Sequence, residues 1–493
     1  MKFNTAIRII LWISIIITLV ILITRVNKNA NNIKNYNLKL NEMNSEMELT
    51  LKINEVLKEK LKEKNVNEVK ENEKITELED QKLINVRLVE EYNTNYMKNL
   101  LDYLGKWNML IKSGKTVFQA YVQLLNDTDN LIIEEQWMPP FIVTKRPVPL
   151  SNTLNCQSEI HSKYFNQRKP NNESSYLIDI IMFGYELKLL EIRLYELYDV
   201  VDEFIIFESN ITFKKFPKKL YFYENMKRFH RFIDKITLMT PFNITRFNKD
   251  GSIKISIETD PKDINEEFKK TNQVNIADEP AFYKLDFSLD LITRMLPIKF
   301  YEKHIRKFDS NDVFVHGDLD EIPDSDIVNH FKYCEVKKEL YPFATWSTFY
   351  IFTLNLLFQS DFWAYDDLYS FKYPNILILD DIIKNNITRL QKTTVLPQAT
   401  GCHLNRILGT IANGIYKEMS QSDGIGVTEH YMEVINDPTI EGYKKFRKTF
   451  TMGKIQERWA HRVVKLSSFN GKLKTFMPWI IKENKEAYKS FFE

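Results

Sequence analysis

The chain has 493 residues, 44% of them hydrophobic, with 68 Lys and Arg against 66 Asp and Glu for a formal net charge of +2. That length suits one large domain or two ordinary ones plus accessory segments. The balanced charge, with no basic stripe in any one segment, argues against a nucleic-acid partner.

Residues 9–24, IILWISIIITLVILIT, carry no charge and are flanked by Arg8 and Arg25. They predict a transmembrane anchor after a cytoplasmic tail at 1–8. The span is short against the roughly 20 residues that cross a full hydrocarbon core. It suits the thinner membranes of the early secretory pathway. A cleaved leader is the alternative, but only a poor small-residue cleavage site follows. Lys2 and Arg8 precede the span while Arg25, Lys28 and Lys34 follow it, so charge leaves the orientation open. Glycosylation triplets at Asn126, Asn172, Asn210, Asn243 and Asn386 favour a luminal C-terminal side.

Residues 25–95 are rich in Asn, Lys and Glu, with apolar residues recurring at three or four (Met43/Met47, Leu49/Ile53/Val56, Leu57/Leu61). This reads as a helical, coiled-coil-like stem without a sustained heptad register; it could pair two chains as a dimer. Residues 96–175 read as a helical neck and a Pro-rich linker. One helix over 95–126 would bury Leu100, Leu101, Leu104, Trp107 and Ile111, and Pro139, Pro140, Pro147 and Pro149 then punctuate the chain. Cys156, Cys334 and Cys402 lack C-x-x-C spacing and read as buried thiols with room for one disulfide.

From Tyr176 the pattern alternates, and 176–493 reads as the catalytic domain. Strands are predicted at 177–183, 204–207, 236–239 and 312–315, with helices at 185–198, 283–305 and 324–333. That order predicts an α/β domain with a mainly parallel sheet. Ligands of such sheets bind beyond the carboxyl ends of the strands, and two strand ends here carry acids: Glu208, and Asp318-Leu319-Asp320-Glu321.

Asp-x-Asp occurs three times, at Asp127/Asp129, Asp318/Asp320 and Asp324/Asp326, and only the middle pair directly follows an apolar strand. Clustered carboxylates of this kind suit Mg²⁺ or Mn²⁺, which would neutralise a departing diphosphate. A solvated turn before a helix N-capped by Asp324 is the plainer reading. A phosphatase with an aspartyl nucleophile fits less well. His316-Gly317 separate the strand from the first Asp, and Ile322 stands where that chemistry wants Thr or Val.

The run Glu186-Leu-Lys-Leu-Leu-Glu-Ile-Arg193-Leu-Tyr-Glu196-Leu closely resembles the opening of the family 17 glycosyltransferases, together with Asp199 to Phe213 and Pro217 to Phe222. These are the β-1,4-mannosyl-glycoprotein 4-β-N-acetylglucosaminyltransferase type. Asp312-Val-Phe-Val-His-Gly-Asp318-Leu-Asp320-Glu321-Ile-Pro323 resembles the family's metal-site signature. The resemblance implies a GT-A-like fold, inverting chemistry, a UDP-GlcNAc donor and a mannose acceptor on a glycoprotein N-glycan. It also implies Mn²⁺ (or Mg²⁺) and Golgi residence as a single-pass type II membrane protein. By that resemblance Asp320 ligates the metal, Asp318 meets the metal or the donor ribose, and Glu321 steadies them. Glu208 would meet the donor or simply bond nearby backbone, and His403 would complete the metal site or be structural.

The chain departs from the family pattern at Tyr185, where Asn is usual, and at Gly401-Cys402-His403-Leu404-Asn405, where Gly-Trp-His-x-Ser is usual. The catalytic base stays open among Glu321, Asp361, Asp366 and Asp367. Trp346, Phe349, Tyr350 and Phe352 read as core packing ahead of sugar stacking. Two other classes stay open: a degenerate transferase fold acting as a binding module, and a membrane-tethered coiled-coil scaffold.

Overall fold

The computed structural model describes residues 94–135, 143–170, 173–213, 218–259, 288–351, 353–358, 370–371, 373–385, 393–405, 414–417 and short stretches between 432 and 491. The predicted anchor at 9–24, nearly all of the stem, and Asp361, Asp366 and Asp367 lie outside the described residues. Among those described, no helix is long and apolar enough to cross a membrane.

The chain is a mixed α/β protein built on one large sheet. Its strands, with β1 (Phe165–Arg168) outside it, are β2 (Leu177–Phe183), β3 (Glu203–Glu208), β4 (Ile236–Met239), β5 (Asn243–Phe247), β6 (Ile253–Glu258), β7 (Val313–Asp318) and β8 (Glu321–Pro323). After β9 (Cys334–Val336), which pairs with β1, come β10 (Phe343–Ile351), β11 (Thr353–Phe358), β12 (Ser370–Phe371), β13 (Asn375–Ile378), β14 (Thr394–Asn405) and β15 (Val463–Lys465). The order across the sheet is β15-β11-β10-β13-β7-β2-β3-β4-β5-β6, with β14 beside β10 and β8.

The four central strands, β7-β2-β3-β4, run parallel. Each alternates its side chains between two buried faces. Leu177, Ile181, Phe204, Ile206, Val313 and Val315 enter one core, and Ile178, Ile180, Ile205, Phe207 and Phe314 the other. Burial on both faces is why these segments are mainly apolar without alternation, with Asp179 of β2 and Thr237 of β4 buried among them.

The expectation of a mainly parallel sheet holds for that centre and for the β10–β14 pair, but not for the rest. β4–β5, β5–β6, β7–β13, β10–β13 and β10–β11 are antiparallel. The linkers β4–β5 and β5–β6 span only 240–242 and 248–252, too few residues for a parallel crossover.

The neck differs as well. The expected helix over 95–126 is divided into α1 (94–112), α2 (Val117–Gln123) and α3 (Leu125–Glu135). Gly114 takes φ +84° after α1, a conformation glycine adopts without penalty. Thr116 and Gln119 then form a reciprocal capping box that starts α2. Leu100, Leu104 and Trp107 are fully buried, in the same core as the central strands. Cys156 and Cys334 form a disulfide across 178 residues, and Cys402 is a buried free thiol.

Candidate active site

The site is built where β2, β3 and β7 end. Met182 is in register with Asp318 and Phe183 with Glu208, so the acids of two strands emerge at one edge. Behind β2 follows α4 (Leu187–Leu197), every residue of which is buried, including the charged Arg193.

Arg193 organises the acidic turn. Its guanidinium donates to both carboxylate oxygens of Asp179 on β2, at 2.8 and 2.7 Å. Its remaining nitrogen donates to the main-chain carbonyls of Asp318 at 2.7 Å and Glu321 at 2.8 Å, with Leu319 at 3.4 Å. Arg193 and Asp179 are both wholly buried. A planar fork that bonds a carboxylate on one side and a bent backbone on the other is a task lysine cannot perform.

Glu321 is also turned inward. It is fully buried and its Oε2 accepts the Asp318 N–H at 2.7 Å. It thus braces the turn backbone. A Cβ on Gly317 would lie 2.6 Å from that same Glu321 oxygen and 2.7 Å from Pro374 Cβ. Glycine is therefore required here by close approach.

The two aspartates then meet cations. Asp318 is about a third exposed and pairs with Arg294 at 2.7 Å. Asp320 is mostly buried, with one oxygen 3.4 Å from His403 Nε2 and 3.6 Å from Lys417 Nζ. Strand β14 delivers His403 opposite Glu321 of β8, and Phe349 of β10 stacks on its ring at 4.5 Å. Lys417 also reaches Glu186 at 3.8 Å. Burial raises the Glu186 carboxyl, Lys417 opposes that shift, and Asp320 adds to it.

Asp318, Asp320 and Glu321 thus lie on one strand-end turn; His403 reaches Asp320 from β14, and Asp318 pairs with Arg294. Arg193, Arg294, Glu186 and Lys417 are the members the sequence reading did not assign. Among the aromatic group, Phe349 and Tyr350 are buried, as core packing requires, and Trp346 is half-buried. The side chain of Phe352 lies outside the described residues.

Glu208 is placed differently. It is fully buried and accepts the main-chain N–H groups of Phe222 at 2.9 Å and Tyr223 at 3.2 Å, with Lys218 3.7 Å away. Burial pushes its carboxyl up to about 7, against the opposing pull of Lys218. Between about pH 4.5 and 7 the folded chain therefore keeps a proton that the unfolded chain releases. Its contribution falls as pH rises through that window, by about 3 kcal/mol for a group this buried. Glu208→Gln is expected to remove that decline, which urea unfolding at a series of pH values would read.

Acids at the carboxyl edge of parallel strands, flanked by Arg294, Lys417 and His403, stand where sheets of this kind bind ligands, and the chain is a glycosyltransferase. Residues 148–279 match the family model of glycosyltransferase family 17, so the chain carries a family 17 glycosyltransferase domain. No curated protein and no solved structure gives a match. The matched stretch includes Glu186, Arg193 and Glu208; the turn at 318–321 and His403 lie beyond it.

Proposed function

We propose that the domain transfers N-acetylglucosamine from UDP-GlcNAc to a mannose of a glycoprotein N-glycan, with inversion, using a divalent cation held at Asp318 and Asp320. The observation that carries this reading is the meeting of Asp320 with His403 and Lys417 on the turn that leaves β7. The Asp318 and Asp320 carboxylates, with the His403 imidazole beside Asp320, would supply donors of the kind Mn²⁺ or Mg²⁺ takes. Bound there, the cation would offset charge developing on the diphosphate as the sugar departs.

The chain's own groups do the positioning. Arg193 grips three carbonyls of the turn, so both carboxylates start from a fixed backbone. Arg294 offers a guanidinium suited to phosphate oxygens beside Asp318. Lys417 adds positive charge at Asp320 and Glu186. Glu208 acts on the donor indirectly, through the 222–223 backbone that it holds. The disulfide fits an oxidising compartment, which supports a luminal domain in the Golgi behind the anchor at 9–24.

A panel of UDP-sugars, offered with glycopeptides carrying mannose-ended N-glycans, tests the donor and the acceptor together. Transfer from UDP-GlcNAc onto mannose is expected. Transfer of another sugar would overturn the donor assignment, and binding without transfer would favour a degenerate binding module.

A further inference from the structure

The third Asp-x-Asp pair has no place in the transfer site. Asp324 N-caps α5 (Ser325–Tyr333) by accepting the Asp326 N–H at 2.9 Å, as the sequence suggests. Asp326 is left with its Oδ1 shielded from solvent and accepting no hydrogen bond among the described residues. His330, one turn further along α5, is fully buried. His161 comes from the neck, with its ring centroid 3.9 Å from that of His330. One ligand atom from each of His161, Asp326 and His330 lies within 4.8 Å of the other two.

The hydrogen bonds at both rings point the same way. His330 Nδ1 lies 2.8 Å from the main-chain oxygen of Asp326, and His161 Nδ1 lies 3.3 Å from that of Asn155. A carbonyl only accepts, so both rings donate from Nδ1, and each neutral ring carries its lone pair at Nε2. A histidine that donates one ring N–H to a backbone carbonyl is oriented to ligate a metal through the other nitrogen. His330 Nε2 accepts the Asn155 N–H at 3.3 Å, a bond that a cation would have to displace.

We propose that His161, Asp326 and His330 form a second metal site that takes a zinc-class divalent cation and fastens the neck to α5. Two imidazoles and one carboxylate select zinc or a similar d-block ion over Mg²⁺. Half-exposed His161 leaves water access to a fourth position. The neck is already tied to the same region by the Cys156–Cys334 bond, by the β1–β9 pair and by Asn329 Nδ2 donating to Leu150 O at 3.1 Å. A cation there would add a third kind of tie, so the role is structural and separate from glycosyl transfer.

Cobalt titration of the chelator-dialysed full chain, disulfide intact, is the test. One equivalent of Co²⁺ should produce the visible bands of a four-coordinate site, and one equivalent of Zn²⁺ should bleach them. Zinc should also raise the thermal midpoint of the wild-type chain. His161→Gln, made on a half-exposed three-residue turn, should weaken binding at least about tenfold, as second-shell losses alone cost 10–100-fold. Asp320→Ala should leave the bands in place. No stoichiometric Zn²⁺ uptake by the folded wild-type chain would overturn the proposal. So would bands that survive in both His161→Gln and His330→Gln.

Discussion

Asp320→Ala should lower kcat for sugar transfer by about 10²–10³-fold while leaving the fold intact, the scale of losing one electrostatic contact to the transition state. Asp320 is the acid on which the site converges. Its carboxylate faces both His403 and Lys417 from a turn whose backbone is held independently by Arg193 and Glu321. Removing it deletes charge at the site and leaves those backbone bonds in place. Near-UV circular dichroism and the thermal midpoint should therefore match wild type. A midpoint that fell together with activity would mean that Asp320 acts through folding. Unchanged turnover would remove it from the chemistry.

Arg193→Met should cost about 3–5 kcal/mol of stability, the range for stripping one partner from a buried ion pair. Asp179 would be left charged and dry, and the carbonyls of Asp318, Leu319 and Glu321 would lose their common donor. Adding Asp179→Asn to the methionine variant should recover part of the loss, because it neutralises the stranded carboxylate. The coupling is read from a double-mutant cycle in urea. Arg193→Lys separates stability from activity. A lysine keeps the charge against Asp179 but cannot fork to the turn, so unfolding should be partly restored while kcat stays depressed. Full recovery of both would show that only charge matters at this position.

The parts of this architecture written in local pattern were legible from sequence. The runs at 177–183, 204–207, 236–239 and 313–315 are mainly apolar without alternation because both of their faces are covered, and all four are strands. Asp324 stands before its helix as a capping acid and caps it. The acidic turn after β7 is visible because a glycine and three acids follow an apolar strand.

What escaped is long-range. Arg193 reads as an ordinary charge in an amphipathic helix, yet its partners lie 14 residues before it and 125–128 after it. Nothing near Arg294 or Lys417 marks them as neighbours of Asp318 and Asp320. The β5–β6 hairpin is legible in Asp250-Gly251, where Gly251 takes φ +83°, whereas the 240–242 linker carries no such pair. The pairing of Cys156 with Cys334, and of His161 with His330, needs the neck folded back across the domain, which no periodicity encodes.

The central claim is that the turn leaving β7 holds a cation against a nucleotide-sugar's phosphates. Its most direct measurement is transfer from UDP-GlcNAc by the wild-type chain before and after chelation. The geometry of Asp318, Asp320 and His403 predicts that turnover stops in chelator and returns when Mn²⁺ is restored. Undiminished turnover in chelator would contradict it.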